Sequence, residues 1–311
     1  MLPEDPGFLH EAFLYADDAE FVRGAVAFIE EAVRADEPVL VLLPARRIAA
    51  LRAELPDPPG IRFADMEDLG SNPARIIPAW RAFVDETPTP GGSVRGIGQS
   101  AWPDRPPAEL AECQRHEELV NVAFRDEPRV RLLCPYDARA LPDVVLEEAR
   151  RSHPVVWEAG QASPSRSYPG VRALSAPFDR PLPAPRGMPD VMAFGDRSLE
   201  PLRSFVREHA HAAGLHEAAV DDLVLSAHEA AANSIRHGGG GGSLSMWRED
   251  GAVICDVRDD GMLDEPLAGR KRPSWRAADG RGLWLANQLC DLVQIRSGRT
   301  GSVVRIHMRL R

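Results

Sequence analysis

The chain has 311 residues, 44% of them hydrophobic and 27% charged, with a formal net charge of −10. That length favours two domains, each burying its own core, and the composition is that of a soluble globular protein. The acidic balance excludes the basic footprint that nucleic-acid binders need, and the longest aliphatic run, Val39 to Leu43, falls far short of the roughly 18–20 residues of a membrane span.

The N-terminus, "MLPEDPGFLHEAF", lacks both a basic region and an apolar core, so no secretory signal is read and a cytoplasmic location is expected. Cys113, Cys134, Cys255 and Cys290 are scattered with no CxxC pair and read as core thiols rather than as disulfide or zinc partners. Lys271 is the only lysine, which removes mechanisms that need a phosphate-loop, strand or Schiff-base lysine anywhere else.

Apolar residues recur at helical spacing from Phe21 to Val33, and "EPVLVLLPA" follows as a buried strand. The rhythm continues through helix "RIAALRAEL", strand "IRFADM", helix "PARIIPAWRAFVDE", strand "SVRGIGQS", helix "AELAECQRHEELVNVAF", strand "VRLLCPYD" and helix "PDVVLEEARRSHP". Such alternation predicts a largely parallel sheet covered on both faces, and the first domain is read as residues 1–157. Residues 158–190 lose periodicity and are dense in Pro, Ser, Gly and Ala, as a linker is.

The second domain, residues 191–311, opens with the helix "SLEPLRSFVREHAHAAGL", for which Ser198 is a candidate N-cap, and continues with the long helix "HEAAVDDLVLSAHEAAANSIRHG". "GSLSMWRED" and "GAVICDVRDDG" read as a hairpin, "GRGLWLANQLCDLVQIRS" as a helix and a strand, and "GSVVRIHMRLR" as a last strand. Helices on one face of a mixed sheet, an α+β layout, are predicted.

Glu229 and Asn233 are four apart and share a helix face. A carboxylate so placed can deprotonate a nucleophile, and an amide oxygen beside it is a hard ligand for Mg²⁺. Asp259 and Asp260 end a strand before Gly261, and Gly280 and Gly282 precede an apolar helix whose N-terminus is a ready anion site. The ordered set "EAAAN", "DDG", "GRGLWL" and "GSVVRIHM" resembles the GHKL (histidine-kinase-like) ATPase domain, within it the anti-sigma-factor serine/threonine kinase branch, over about residues 190–311. The resemblance implies a Bergerat-type α/β sandwich that binds ATP and Mg²⁺. It makes Glu229 the catalytic base or the water-orienting carboxylate, Asn233 the Mg²⁺ ligand and Asp259 the partner of the adenine amine. Gly261 would let adenine approach, Gly280 and Gly282 would line the phosphates, Ser302 would lie near adenine, and residues 262–279 would form the lid. Leu263 stands where the family has a second glycine.

"HEAFLYADDAEFVRGAVAFIEEAVRADEPVLVLL" and "CPYDARALPDVVLEEARRSHP" resemble the MEDS sensory domain over about residues 8–156, which implies a degenerate RecA-like parallel sheet. His10, Tyr15, Cys134, Tyr136 and His153 are the candidate ligand contacts there. Together the two resemblances imply a cytoplasmic signalling protein that phosphorylates a serine of a STAS-type antagonist or sequesters a sigma factor. They further imply a homodimer, while the acidic balance and the short aliphatic runs argue against nucleic-acid and membrane partners. A non-catalytic ATP-binding interaction module and a sensor histidine kinase are the alternatives.

Overall fold

A computed structural model describes residues 8–55, 60–87, 92–170, 181–274 and 280–310. Residues 171–180 of the expected linker and 275–279 of the expected lid therefore lie outside the described residues. The chain divides into two compact units, residues 1–175 and 176–311.

In the first unit β1 (Leu9–Tyr15), α1 (Asp18–Arg34), β2 (Val39–Leu43), α2 (Ala45–Glu54), β3 (Ile61–Asp65), α3 (Met66–Leu69), α4 (Ile76–Glu86) and β4 (Val94–Gly98) follow one another. They continue into α5 (Pro107–Ala123), β5 (Val130–Asp137), α6 (Asp143–Ser152), β6 (Val155–Glu158) and β7 (Gln161–Pro164). The sheet runs in the order β3-β2-β4-β5-β1-β6-β7. Every pairing is parallel except that of β6 with β7. This is the parallel α/β sheet that the alternation predicts, with two additions. The interior strand β1 does not stand out as a strand in the sequence, because His10 and Glu11 are polar yet buried in it. β7 lies inside the stretch that reads as linker.

The period-two geometry of β1 and β5 separates two cores. Phe13, Tyr15 and Leu133 face the layer of α1, whose Phe21, Ala25, Phe28, Ile29 and Ala32 are buried at helical spacing. Ala12, Leu14, Cys134 and Tyr136 face the other way, against Val145, Leu146 and Ala149 of α6.

The second unit contains β8 (Asp190–Gly195), α7 (Leu199–Ala212), α8 (Glu217–His237), β9 (Gly241–Glu249), β10 (Ala252–Asp259), α9 (Arg281–Leu289), β11 (Leu292–Gly298) and β12 (Gly301–Arg309). Its sheet order is β11-β12-β10-β9-β8. All four pairings are antiparallel, so the mixed sheet expected from the sequence is an antiparallel one among the described residues. Two of the four follow from the connections: hairpins join β9 to β10 and β11 to β12, and hairpins force antiparallel neighbours. Asp250 and Gly251, both at positive φ (49° and 73°), make the two-residue turn between β9 and β10. Ser198 precedes α7 but its side chain makes no capping hydrogen bond, whereas His216 caps α8 by accepting from Ala219 N at 3.3 Å.

Leu202, Val206, Leu223 and Ala227 of α7 and α8 pack with Cys255 of β10 and Ile306 of β12 in one continuous core. On the opposite face of the sheet Arg305 grips Asp256 through Nε at 2.6 Å and Nη2 at 2.9 Å, under the Trp247 ring.

Candidate functional site

α8 buries Ala227, Ala230, Ala231 and Ser234 toward the core and leaves Glu229 and Asn233 half-buried at its edge. The first turn of α9 comes to this edge. A β-carbon on Gly282 would lie 2.7 Å from Glu229 Oε2, 3.0 Å from Glu229 Cβ and 3.3 Å from Asn233 Nδ2. Only a residue without a side chain lets the helix N-terminus approach this closely. The result is a carboxylate, an amide and the orphan backbone N–H groups of a helix start in one place, where an anionic group and its counter-cation are both served. Gly280 occupies the left-handed N-cap position of α9 at φ 84°. Asn233 Oδ1 accepts from Arg236 Nη2 at 2.9 Å.

At the end of β10 the Asp259 carboxylate is held from two sides. Ser234 Oγ of α8 donates to Oδ2 at 2.5 Å, and the Gly261 backbone N–H donates to Oδ1 at 2.8 Å. Each carboxylate oxygen accepts more than one hydrogen bond, so the group keeps capacity for an exocyclic amine. A β-carbon on Gly238 would meet Asp259 Cγ at 2.4 Å, and one on Gly261 would meet Gly238 Cα at 2.6 Å. The first of the five glycines after α8, Gly238, is thus part of the seat of Asp259. Ser302 donates to the Gly261 carbonyl at 2.8 Å and meets Ser297 Oγ at 2.8 Å, and Ser297 Oγ accepts from Leu263 N at 2.7 Å. Leu263, at the departure from the family pattern, packs on the domain core and is tied through its backbone. Lys271 is exposed, 3.3 Å from Glu265 Oε1.

The structure therefore gathers Glu229, Asn233 and Gly282 into one group and Asp259, Gly261 and Ser302 into another. Ser234 and Gly238 complete the second group and escape sequence reasoning. Ser234 had one signal: it stands one residue past Asn233, on the same helix.

In the first unit four of the five candidate contacts come together and one does not. His10, Cys134, Tyr136 and His153 lie on one side of the sheet, whereas Tyr15, an odd number of residues along β1 from His10, points to the other. There its hydroxyl accepts from Arg47 Nη2 at 3.1 Å and from Gln99 Nε2 at 3.4 Å. The buried carboxylate of Glu117, on α5, joins the other four: its Oε2 is 3.2 Å from His10 Nε2 and 3.4 Å from Cys134 Sγ. Burial, then the charge of His153, lowers the pKa of His10 to about 4 against the pull of Glu117, so this imidazole is neutral near pH 7. Burial, then the Glu117 charge, pushes the Cys134 thiol well up. Glu117 sits in a helix with no clean apolar stripe, where Glu109, Glu112, Arg115, His116 and Asn121 are also buried, and that irregularity is the one sequence signal it offers.

Residues 9–154 match the model of the MEDS family, described as "MEthanogen/methylotroph, DcmR Sensory domain", and residues 193–308 match that of the "Histidine kinase-like ATPase domain". No curated protein matches the chain. Among solved structures, one of RsbU and RsbW domains from Mycobacterium tuberculosis is 20% identical over 40% of this chain and 32% of that chain, with a TM-score of 0.31. The chain thus spans about a third of that structure's length. Among the described residues no helix is long and apolar enough to cross a membrane.

Proposed function

For a chain that joins a MEDS domain (residues 9–154) to a histidine kinase-like ATPase domain (residues 193–308), we propose an ATP-dependent serine/threonine kinase of the anti-sigma type, governed by the sensory domain. Its substrate in this reading is a serine on an antagonist protein of STAS type, and its second partner a sigma factor. The observation that supports it most is the approach of Gly282 to Glu229 and Asn233, which joins a helix N-terminus to a carboxylate and an amide within the ATPase domain. The residues fit Mg²⁺ and a triphosphate in their chemistry: the amide oxygen of Asn233 is a hard donor, and the start of α9 offers backbone N–H groups to phosphate oxygens. When bound, Mg²⁺ supplies charge neutralisation along the phosphates.

In this reading Asp259, fixed by Ser234 and Gly261, accepts from the adenine amine. The backbone N–H groups at the start of α9 hold phosphate oxygens. Glu229 takes the proton of the substrate serine as its oxygen attacks the γ-phosphorus. The bond from that phosphorus to the β–γ bridging oxygen breaks and ADP leaves. Positioning and charge, rather than covalent chemistry by the protein, carry the rate.

The test is incubation of the full chain with γ-labelled MgATP and a candidate antagonist, beside Glu229→Ala and Asp259→Asn. Acid-stable label on the antagonist, lost in Glu229→Ala with ATP binding retained, supports the kinase. Acid-labile label on the chain itself would instead make it a histidine kinase. ATP binding without transfer to any partner would leave a binding module.

A further inference from the structure

We propose that the first unit holds a divalent transition-metal ion, zinc in the first instance, between His10 Nε2, Glu117 Oε2, Cys134 Sγ and His153 Nε2. All four residues are buried, and the four atoms lie within 4.8 Å of one another. Four of their six separations match those of a shared ion. His10 Nε2 is 3.2 Å from Glu117 Oε2 and 3.4 Å from Cys134 Sγ, while Glu117 Oε2 is 3.4 Å from Cys134 Sγ and 3.5 Å from His153 Nε2. A tetrahedral zinc with bonds of about 2.0–2.3 Å holds its ligand atoms about 3.3–3.6 Å apart.

The hydrogen bonds behind the cluster aim its lone pairs inward. Asn121 Nδ2 donates to the carbonyls of Glu117 at 3.0 Å and Ser152 at 2.7 Å. Carbonyls only accept, so the amide orientation is fixed and Asn121 Oδ1 faces His10 Nδ1 at 3.2 Å as an acceptor. His10 Nδ1 therefore carries the proton. His153 Nδ1 faces the Ala149 carbonyl at 2.7 Å and carries its proton for the same reason. Both imidazoles then present the unprotonated Nε2 to one oxygen of Glu117, and their rings lie tilted against each other with centroids 3.9 Å apart. His153 Nε2 is buried with no hydrogen-bond partner. Two imidazole lone pairs thus face one carboxylate oxygen, with the Cys134 thiol as the proton donor among the four atoms, an arrangement that a cation in place of that proton would satisfy. An imidazole held by an Nδ1–H to a carbonyl or amide oxygen is how metal-binding histidines are oriented.

Thiolate and imidazole ligands select a first-row transition ion over Mg²⁺ or Ca²⁺. Four protein ligands close the site, which is the pattern of structural rather than hydrolytic zinc. Binding displaces the Cys134 thiol proton to solvent and ties β1, α5, β5 and the chain after α6 together.

The experiment uses the full chain, stripped with chelator under reducing conditions and titrated with Co²⁺ and then Zn²⁺. One equivalent of cobalt per chain is expected, with the visible bands of tetrahedral cobalt and a thiolate-to-cobalt charge-transfer band, both removed by zinc. Cys134→Ser should abolish the charge-transfer band. Asn121→Ala, which keeps all four ligands, should weaken cobalt about 10- to 100-fold. A wild-type chain that is folded by circular dichroism yet takes up no stoichiometric cobalt or zinc overturns the proposal. So does a charge-transfer band that survives in Cys134→Ser.

Discussion

At the scale of single residues, the candidate ATP site depends on groups whose positions are set by atoms they do not share a segment with. Asp259 illustrates this. Its two oxygens accept from Ser234 and Gly261, and the Gly238 backbone closes over it. Asp259→Asn keeps the shape but replaces one oxygen by a donor, so the bond expected with adenine is lost together with one of the two holding bonds. ATP affinity measured by calorimetry should fall about 10- to 100-fold, the worth of a charge-assisted hydrogen bond of about 1.5–3 kcal/mol. Gly282→Ala tests the other group. A methyl 2.7 Å from Glu229 Oε2 must displace that carboxylate. Overpacking of this kind costs about 1–3 kcal/mol, and a catalytic group moved by about 1 Å costs about 100-fold in rate. The variant should therefore stay folded, with a slightly lower melting temperature, while kcat falls far more than KM for ATP rises. Equal kinetics in Gly282→Ala and wild type would remove Glu229 from the chemistry. The shared face of Glu229 and Asn233 was legible in the sequence because four residues make about one helical turn. The approach of Gly282 was not, because nothing local encodes which helix end meets that face. Glu117 was illegible for the same reason: its partners come from three other segments.

At the scale of elements, helices were the legible part, since α1 and α8 advertise themselves by apolar spacing. Strands that break the pattern were not. β1 carries His10 and Glu11 into the core because each finds partners: Glu11 accepts from Arg131 Nε at 2.6 Å and from Trp157 Nε1 at 3.0 Å. β8 is an edge strand with half of its residues exposed and only Phe194 buried, and β7 is exposed throughout, so neither shows an alternating buried face to read. The outer face of the second sheet hides a similar exception, the pair of Asp256 and Arg305, with side chains 2% and 5% exposed. Asp256→Ala leaves the Arg305 guanidinium buried against Trp247 without its carboxylate. Removal of one partner from a buried pair costs about 3–5 kcal/mol. Urea unfolding followed by circular dichroism should show that loss in the midpoint of the second unit's transition. Replacement of both residues by apolar ones should recover most of it, because the cost lies in the unpaired charge.

At the scale of the whole molecule, each unit has its own core and its own candidate ligand, so ligands should act on separate unfolding transitions. A ligand that binds only the folded form stabilises it by about 2.7 kcal/mol at 100 times its Kd. For units of this size that is roughly 5–10 °C in melting temperature. Scanning calorimetry of the full chain should thus show one transition that zinc raises and chelator lowers, and a second that MgATP raises. Asp256→Ala identifies the second by lowering it alone. Cys134→Ser should make the first insensitive to zinc, and Asp259→Asn should shrink the MgATP shift of the second. A sensory domain that governs an enzyme adds a coupling free energy of about 1–3 kcal/mol. Coupling would appear as a smaller shift of each transition by the other unit's ligand, reciprocal in size because linkage requires it. Zinc that leaves the first transition unmoved removes the metal site, and MgATP that leaves the second unmoved removes the nucleotide site. The two ideas fail separately because they rest on different residues.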